Sequence, residues 1–122
     1  MLDNSGRIVL IDLGSVVKFG EPIRECTNYL YLDTPLDEAL PIFDINCIAS
    51  TLLMCGDPSH ISGRQDTRSN LLDKYNSPDY RHPAIELACI CLKSYSSEEL
   101  STKAAQWLAN QPEEIKQIVK NL

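Results

Sequence analysis

The alternation of apolar and polar residues changes character about a third of the way along the chain. Arg7 to Leu13 reads Arg-Ile-Val-Leu-Ile-Asp-Leu, with unbroken apolar character from Ile8 to Ile11. A short β-branched run bounded by turn residues predicts a strand buried on both faces or nearly so. Asp3-Asn4-Ser5-Gly6 supplies the turn before it, because Asn tolerates left-handed geometry and Gly reaches positive φ without steric cost. Gly14 breaks the run, and Val16-Val17-Lys18-Phe19 predicts a second short strand ending at Gly20, completing an N-terminal β-hairpin. From Glu21 to Pro41 no period is sustained, and Pro22, Pro35 and Pro41 punctuate a loop-like stretch of about 20 residues. That is long for a compact domain unless the loop has a function.

Beyond the loop the pattern is helical. Ile42 to Cys55 is apolar on most of its circumference and stops at Gly56-Asp57-Pro58, which predicts a helix in the middle of a core. Asp57 to Asp66 reads as a polar loop, and Thr67 to Tyr75 as one short helix. Pro83 suits a first helical position, so Ala84 to Leu92 continues as an apolar helix, with His82 left in the loop before it. Ser96-Ser97-Glu98-Glu99 is a capping box, in which each side chain satisfies an orphan backbone donor. A helix from there to about Ala109 sets Leu100, Ala104, Trp107 and Leu108 on one face. Gln111-Pro112-Glu113-Glu114 opens a last helix, with Pro at its first position and acids near the positive dipole end. The fold class is therefore mainly α with a short N-terminal β-hairpin, and residues 1–122 form a single domain.

Composition narrows what such a domain does. The chain has 122 residues, 43% of them hydrophobic and 23% charged, which suits a folded domain with a real core rather than a disordered one. Its 11 basic and 17 acidic residues leave a net charge of −6. That sign repels phosphate backbones and anionic headgroups, so neither nucleic acid nor membrane is an expected partner. No run approaches the roughly 18 apolar residues of a membrane span, and the N-terminus lacks the basic-then-apolar order of a secretory signal. Cysteines 26, 47, 55, 89 and 91 are odd in number and contain no Cys-x-x-Cys pair, and His60 and His82 add no metal-ligand spacing. A reducing compartment, cytoplasm or nucleus, is expected, with Cys89 and Cys91 serving as packing residues.

The order of these segments, with Ile11-Asp12-Leu13-Gly14 at the strand end, resembles the second half of the C-lobe of a eukaryotic-type protein kinase. In that family an apolar strand leads into Asp-Phe-Gly, whose Asp holds the magnesium that bridges the ATP phosphates. Cys26 to Asp33 resembles the Thr-x-x-Tyr-x-x-Pro-Glu stretch that closes the activation segment. Asp44-Ile45-Asn46-Cys47-Ile48-Ala49-Ser50-Thr51-Leu52-Leu53 is similar to the family's buried helix F, which opens Asp-x-Trp-Ser. Cys91-Leu92-Lys93, Ser101-Thr102 and Trp107-Leu108 track the closing Cys-Leu, Arg-x-Thr and Leu-Leu pattern. The likeness covers nearly the whole chain and implies a kinase-C-lobe-like helical bundle.

What the resemblance implies about chemistry is mostly loss. Met1-Leu2-Asp3 falls just after the family's catalytic-loop Asn, so the Gly-rich loop, the ATP-anchoring Lys and the His-Arg-Asp loop have no counterpart in this sequence. Phosphoryl transfer works by positioning and charge neutralisation, so no catalytic residues and no cofactor are expected for the isolated chain. Mg-ATP enters only if an N-lobe and a catalytic loop complete it. By resemblance Asp12 is a vestigial magnesium ligand, and one carboxylate does not hold magnesium usefully. Asp33 stands where the family has Glu, no Arg sits near Glu99 or Leu100 to meet it, and Asn46 replaces the Trp of helix F. With no catalytic loop to contact, Asp44 is expected to be a plain N-cap. Thr27, Tyr29 and Tyr31 occupy the activation-segment position, where a phosphate would need Arg24, Arg64 or Arg68 as partner; an ordinary loop with aromatic anchors is the simpler expectation.

The leading expectation is therefore a non-catalytic kinase-like C-lobe segment working as a binding or regulatory module. Its partner would be a kinase, a kinase-associated protein or a second copy of itself. The alternatives are a C-terminal fragment or alternative product of an active Ser/Thr kinase, and a small α-rich interaction domain with no kinase link.

Overall fold

A computed structural model describes residues 2–10, 13–23, 38–60 and 66–120. Helices dominate the described chain in the order α1 (Pro41–Gly56), α2 (Arg68–Tyr75), α3 (Pro83–Leu92), α4 (Ser97–Ala109) and α5 (Glu113–Lys120), preceded by a single 3-10 turn at Leu13–Ser15.

Each helix begins where local chemistry permits. Leu40 is extended and Pro41 takes the first turn of α1, where a missing N–H costs nothing. Thr67 caps α2, its Oγ1 accepting from the Asn70 N–H at 3.0 Å. Before α3, His82 is a cap rather than a bystander: Nδ1 accepts from the Ala84 N–H at 3.1 Å. Ser96 caps α4 through the Glu99 N–H at 3.1 Å. The reciprocal half of that capping box is shifted by one residue. The Glu99 carboxylate reaches the Tyr95 N–H at 2.9 Å instead of the N–H of Ser96, and Lys103 Nζ donates to its other oxygen at 2.6 Å.

The core lies between α1 and α3. Ile45, Ala49 and Leu53 of α1, spaced by four, meet Ile85, Ala88, Cys89 and Leu92 of α3, and Leu71 and Tyr75 of α2 close one side. Full burial of side chains this size contributes about 1.5–3 kcal/mol each. The α1 and α3 axes approach so closely at Gly56 that a Cβ there would lie 2.5 Å from Ile85 Cγ1. Tyr75 carries its hydroxyl to the edge of this core, where it donates to Asp57 Oδ2 at 2.9 Å, and its ring meets Tyr80 edge-on with centroids 4.8 Å apart.

The helix over 42–55 is buried or half-buried on most of its circumference: Ile45, Asn46, Ala49, Ser50 and Leu53 are buried, and the exposed positions Asp44, Ile48, Thr51 and Cys55 fall on one strip. One expectation changes. The β-hairpin is absent from the described residues. Only one antiparallel bridge, Leu2 to Ile8, forms across the Asn4-Ser5-Gly6 turn, where Gly6 has φ +82°. Asp3 Oδ1 accepts from the N–H groups of Ser5 and Arg7, both at 2.9 Å, and fixes that turn. Val16 to Phe19 forms no ladder. Just after it the Gly20 N–H donates to the Ala39 carbonyl at 2.8 Å, and the Ala39 N–H returns to Glu21 at 2.7 Å, tying together the two ends of the long loop. Propensity alone does not make a strand; a strand needs a neighbour for its backbone, and among the described residues the Ile8 to Leu10 run has one bridge, from Ile8 to Leu2.

α4 presents the predicted face, Leu100, Ala104, Trp107 and Leu108, half-buried rather than buried. α5 packs on α4. No described helix is long and apolar enough to cross a membrane.

Candidate functional site

Of the residues singled out by resemblance, Asp12 and the activation-segment positions Arg24, Cys26, Thr27, Tyr29, Tyr31 and Asp33 lie outside the described residues, as does Arg64. Asp44, Asn46 and Arg68 are described, and the last two meet. Arg68 Nη1 donates to Asn46 Oδ1 at 2.6 Å. Its Nη2 donates to the carbonyls of Cys91 (3.1 Å), Leu92 (2.7 Å) and Ser94 (2.5 Å). The guanidinium also stacks on the Tyr95 ring, 4.6 Å from its centroid.

The chemistry explains the arrangement. The last carbonyls of a helix have no partner within it and carry the negative end of its dipole. A planar guanidinium with several forked donors can meet several such oxygens at once, which a lysine ammonium cannot do with the same geometry. Arg68 thereby caps the C-terminus of α3, fastens the α3–α4 turn, and ties both to α1 through Asn46. At 8% exposure it is committed to this hub, so it is not the surface cation that a phosphate at the activation-segment positions would need. Nothing in the local pattern around Arg68 announces this. The position of Asn46, polar in the middle of an apolar helix, is the one signal that a buried polar partner was needed.

Asp44 is not the N-cap of its helix. α1 starts three residues earlier at Pro41, and Asp44 falls in its first turn, with partial burial raising its carboxyl pKa. The Cys89 and Cys91 side chains are buried, and burial raises both thiols, Cys91 to about 11. A thiol held protonated is a poor nucleophile or ligand, which fits a packing role. Cys47 is half-buried, and Cys55 is an exposed free thiol. Among the described residues no group of three or more His, Cys, Asp or Glu side chains could hold a metal ion.

The N-terminal segment shows the opposite of a site built from buried polar groups. Ile8 is 73% exposed, Leu10 81%, Leu13 60%, Val16 66% and Phe19 60%, with Leu2 at 64% beside them. Single exposed apolar residues are ordinary, whereas a run of them along one segment marks an interaction surface or an aggregation liability. No protein-family model, curated protein or solved structure matches this chain.

Proposed function

We propose that this chain is a non-catalytic, kinase-C-lobe-like segment that works as a binding or regulatory module, presenting its N-terminal apolar run to a protein partner. The observation that carries the reading is the exposure of Ile8, Leu10, Leu13, Val16 and Phe19 on a segment whose sequence is that of a buried strand. The order of motifs, from Asp12-Leu13-Gly14 through the helix at 41–56 to Trp107-Leu108, supports the kinase lineage. In this reading the partner is an intracellular kinase, a kinase-associated protein or a second copy of the chain, in the cytoplasm or nucleus. Asp12 is a remnant, Mg-ATP does not bind the isolated chain usefully, and neither nucleic acid nor a membrane is bound.

The test is affinity capture from the native cell with the wild-type chain and with an Ile8→Asp/Leu10→Asp variant. Capture of a kinase or kinase-associated protein, or self-association seen by light scattering, is expected for the wild type and lost in the variant. Equal behaviour of the two chains sinks the reading.

One observation favours a second reading, a small α-rich interaction domain with no kinase link. The Ile8–Leu10 run stands exposed instead of packing as one strand of a hairpin. The genomic DNA upstream of Met1 separates the possibilities. An in-frame His-Arg-Asp-x-x-x-x-Asn preceded by a Gly-rich loop would make this the C-terminal part of an active Ser/Thr kinase.

A further inference from the structure

The loop after α2, residues of α3 and the end of α4 line a cleft of about 500 Å3. That is within the size range of small-molecule sites, roughly 300–1,000 Å3. Cys89 lines it, and Tyr80 and Trp107 give it aromatic walls. Three charged residues line it: Arg81, Glu86 and Lys93.

The charges are not equivalent. Glu86 is engaged, its Oε2 accepting from Trp107 Nε1–H at 3.1 Å, so it holds the indole in place. Neither Arg81 nor Lys93 forms an ion pair among the described residues, where the pairs are Arg7–Asp3, Lys103–Glu99 and Lys116–Glu113. Lys93 follows Cys89 by four residues, and both line the cleft. Lys93 caps α3 with its backbone N–H, leaving its side chain free of that task. The cleft thus carries an excess of positive charge on a chain whose net charge is −6. Aromatic walls favour a flat π-surface, and two uncommitted cations favour a negative group at its edge.

We infer that the cleft between Tyr80, Arg81, Lys93 and Trp107 binds a small planar aromatic anion, with the rings against Trp107 and Tyr80 and the anionic group toward Arg81 and Lys93. This site is independent of the N-terminal surface and of any kinase lineage.

The experiment uses the full chain and two probes of the same shape, 2-naphthoate and neutral 2-naphthamide. Trp107 is the only tryptophan, so an amide-proton NMR spectrum contains one indole cross-peak, and that peak sits in the cleft. Naphthoate is expected to shift it saturably with a dissociation constant below about 1 mM. Naphthamide should bind about three- to tenfold more weakly, the range spanned by exposed and partly desolvated charge contacts. An Arg81→Gln/Lys93→Gln variant, both positions being exposed, should lower naphthoate affinity to the naphthamide level and leave naphthamide unchanged. Absence of a saturable shift, equal affinity for the two probes, or an unaffected double variant would each overturn the proposal.

Discussion

The segment from Leu2 to Ile23 and the helical unit from Pro41 to Ala109 are built from similar apolar residues and come to opposite ends. Ile45, Leu53, Ile85 and Leu92 are at most 2% exposed, whereas Ile8, Leu10 and Val16 are 66% exposed or more. The difference is where each element finds its partners. A helix satisfies its own backbone and needs cover for only one stripe, which α1 and α3 give each other. A strand leaves its backbone bonds to a neighbour, and among the described residues Ile8 has only Leu2. Apolar content therefore says that a segment wants burial, while the element type decides whether its own chain can supply it.

The largest test of that contrast is a matched truncation. Leu53→Ala should lower unfolding stability by about 2–5 kcal/mol, because it leaves a cavity between α1 and α3. Leu10→Ala should change it by less than about 0.5 kcal/mol, since the side chain touches little. Urea unfolding of both variants compares the regions directly. Equal losses would mean that the N-terminal run belongs to the same core.

Next in size is the hub. Arg68→Ala strips three carbonyls and Asn46 of a charged donor and should cost about 2–4 kcal/mol by the same urea measurement. Arg68→Lys should recover only part of this, because a single ammonium cannot reproduce the forked contacts. Full rescue by lysine would show that charge alone, not geometry, holds the hub.

Gly56→Ala tests the close approach of α1 and α3. The new methyl would meet Ile85 Cγ1 at 2.5 Å, and forcing the helices apart should cost about 1–3 kcal/mol, read as a lowered urea midpoint. A neutral or stabilising result would show that the two helices slide freely.

The smallest effect is a pH dependence. His60 is buried against Tyr75, their rings edge-on at 5.4 Å. Desolvation lowers its pKa first of all, aided by Lys74 and opposed by Asp66 and Asp57. The unfolded chain, with an ordinary value near 6.5, then binds more protons than the folded one just below neutrality. Stability should fall as pH drops through about 6.5 toward 5, with a slope of less than about one proton. His60→Gln should flatten that slope; a slope unchanged in the variant assigns it elsewhere.

Much of the helical unit is legible in the sequence, because it is written locally. Thr67, Pro83 and Ser96 mark starts that lie within a residue of the observed ones, and the Leu100-Trp107 face of α4 follows from its period. What escaped is long-range. His82 read as a loop residue because cap geometry depends on the helix behind it. The Arg68 hub left no local signal because its acceptors lie more than 20 residues away in the chain. The hairpin is not found among the described residues, because an apolar, β-branched run describes a willing strand and not its neighbour.

Amide hydrogen exchange on the isolated chain, at a concentration where light scattering finds a monomer, tests the central contrast most directly. The account predicts that amides at 8–10 and 16–19 exchange at nearly unprotected rates, while those of Ala49, Leu53, Ala88 and Leu92 exchange only through global unfolding. Protection of Ile8 to Leu10 equal to that of α1 would contradict it, placing the N-terminal run inside the core rather than at a surface awaiting a partner.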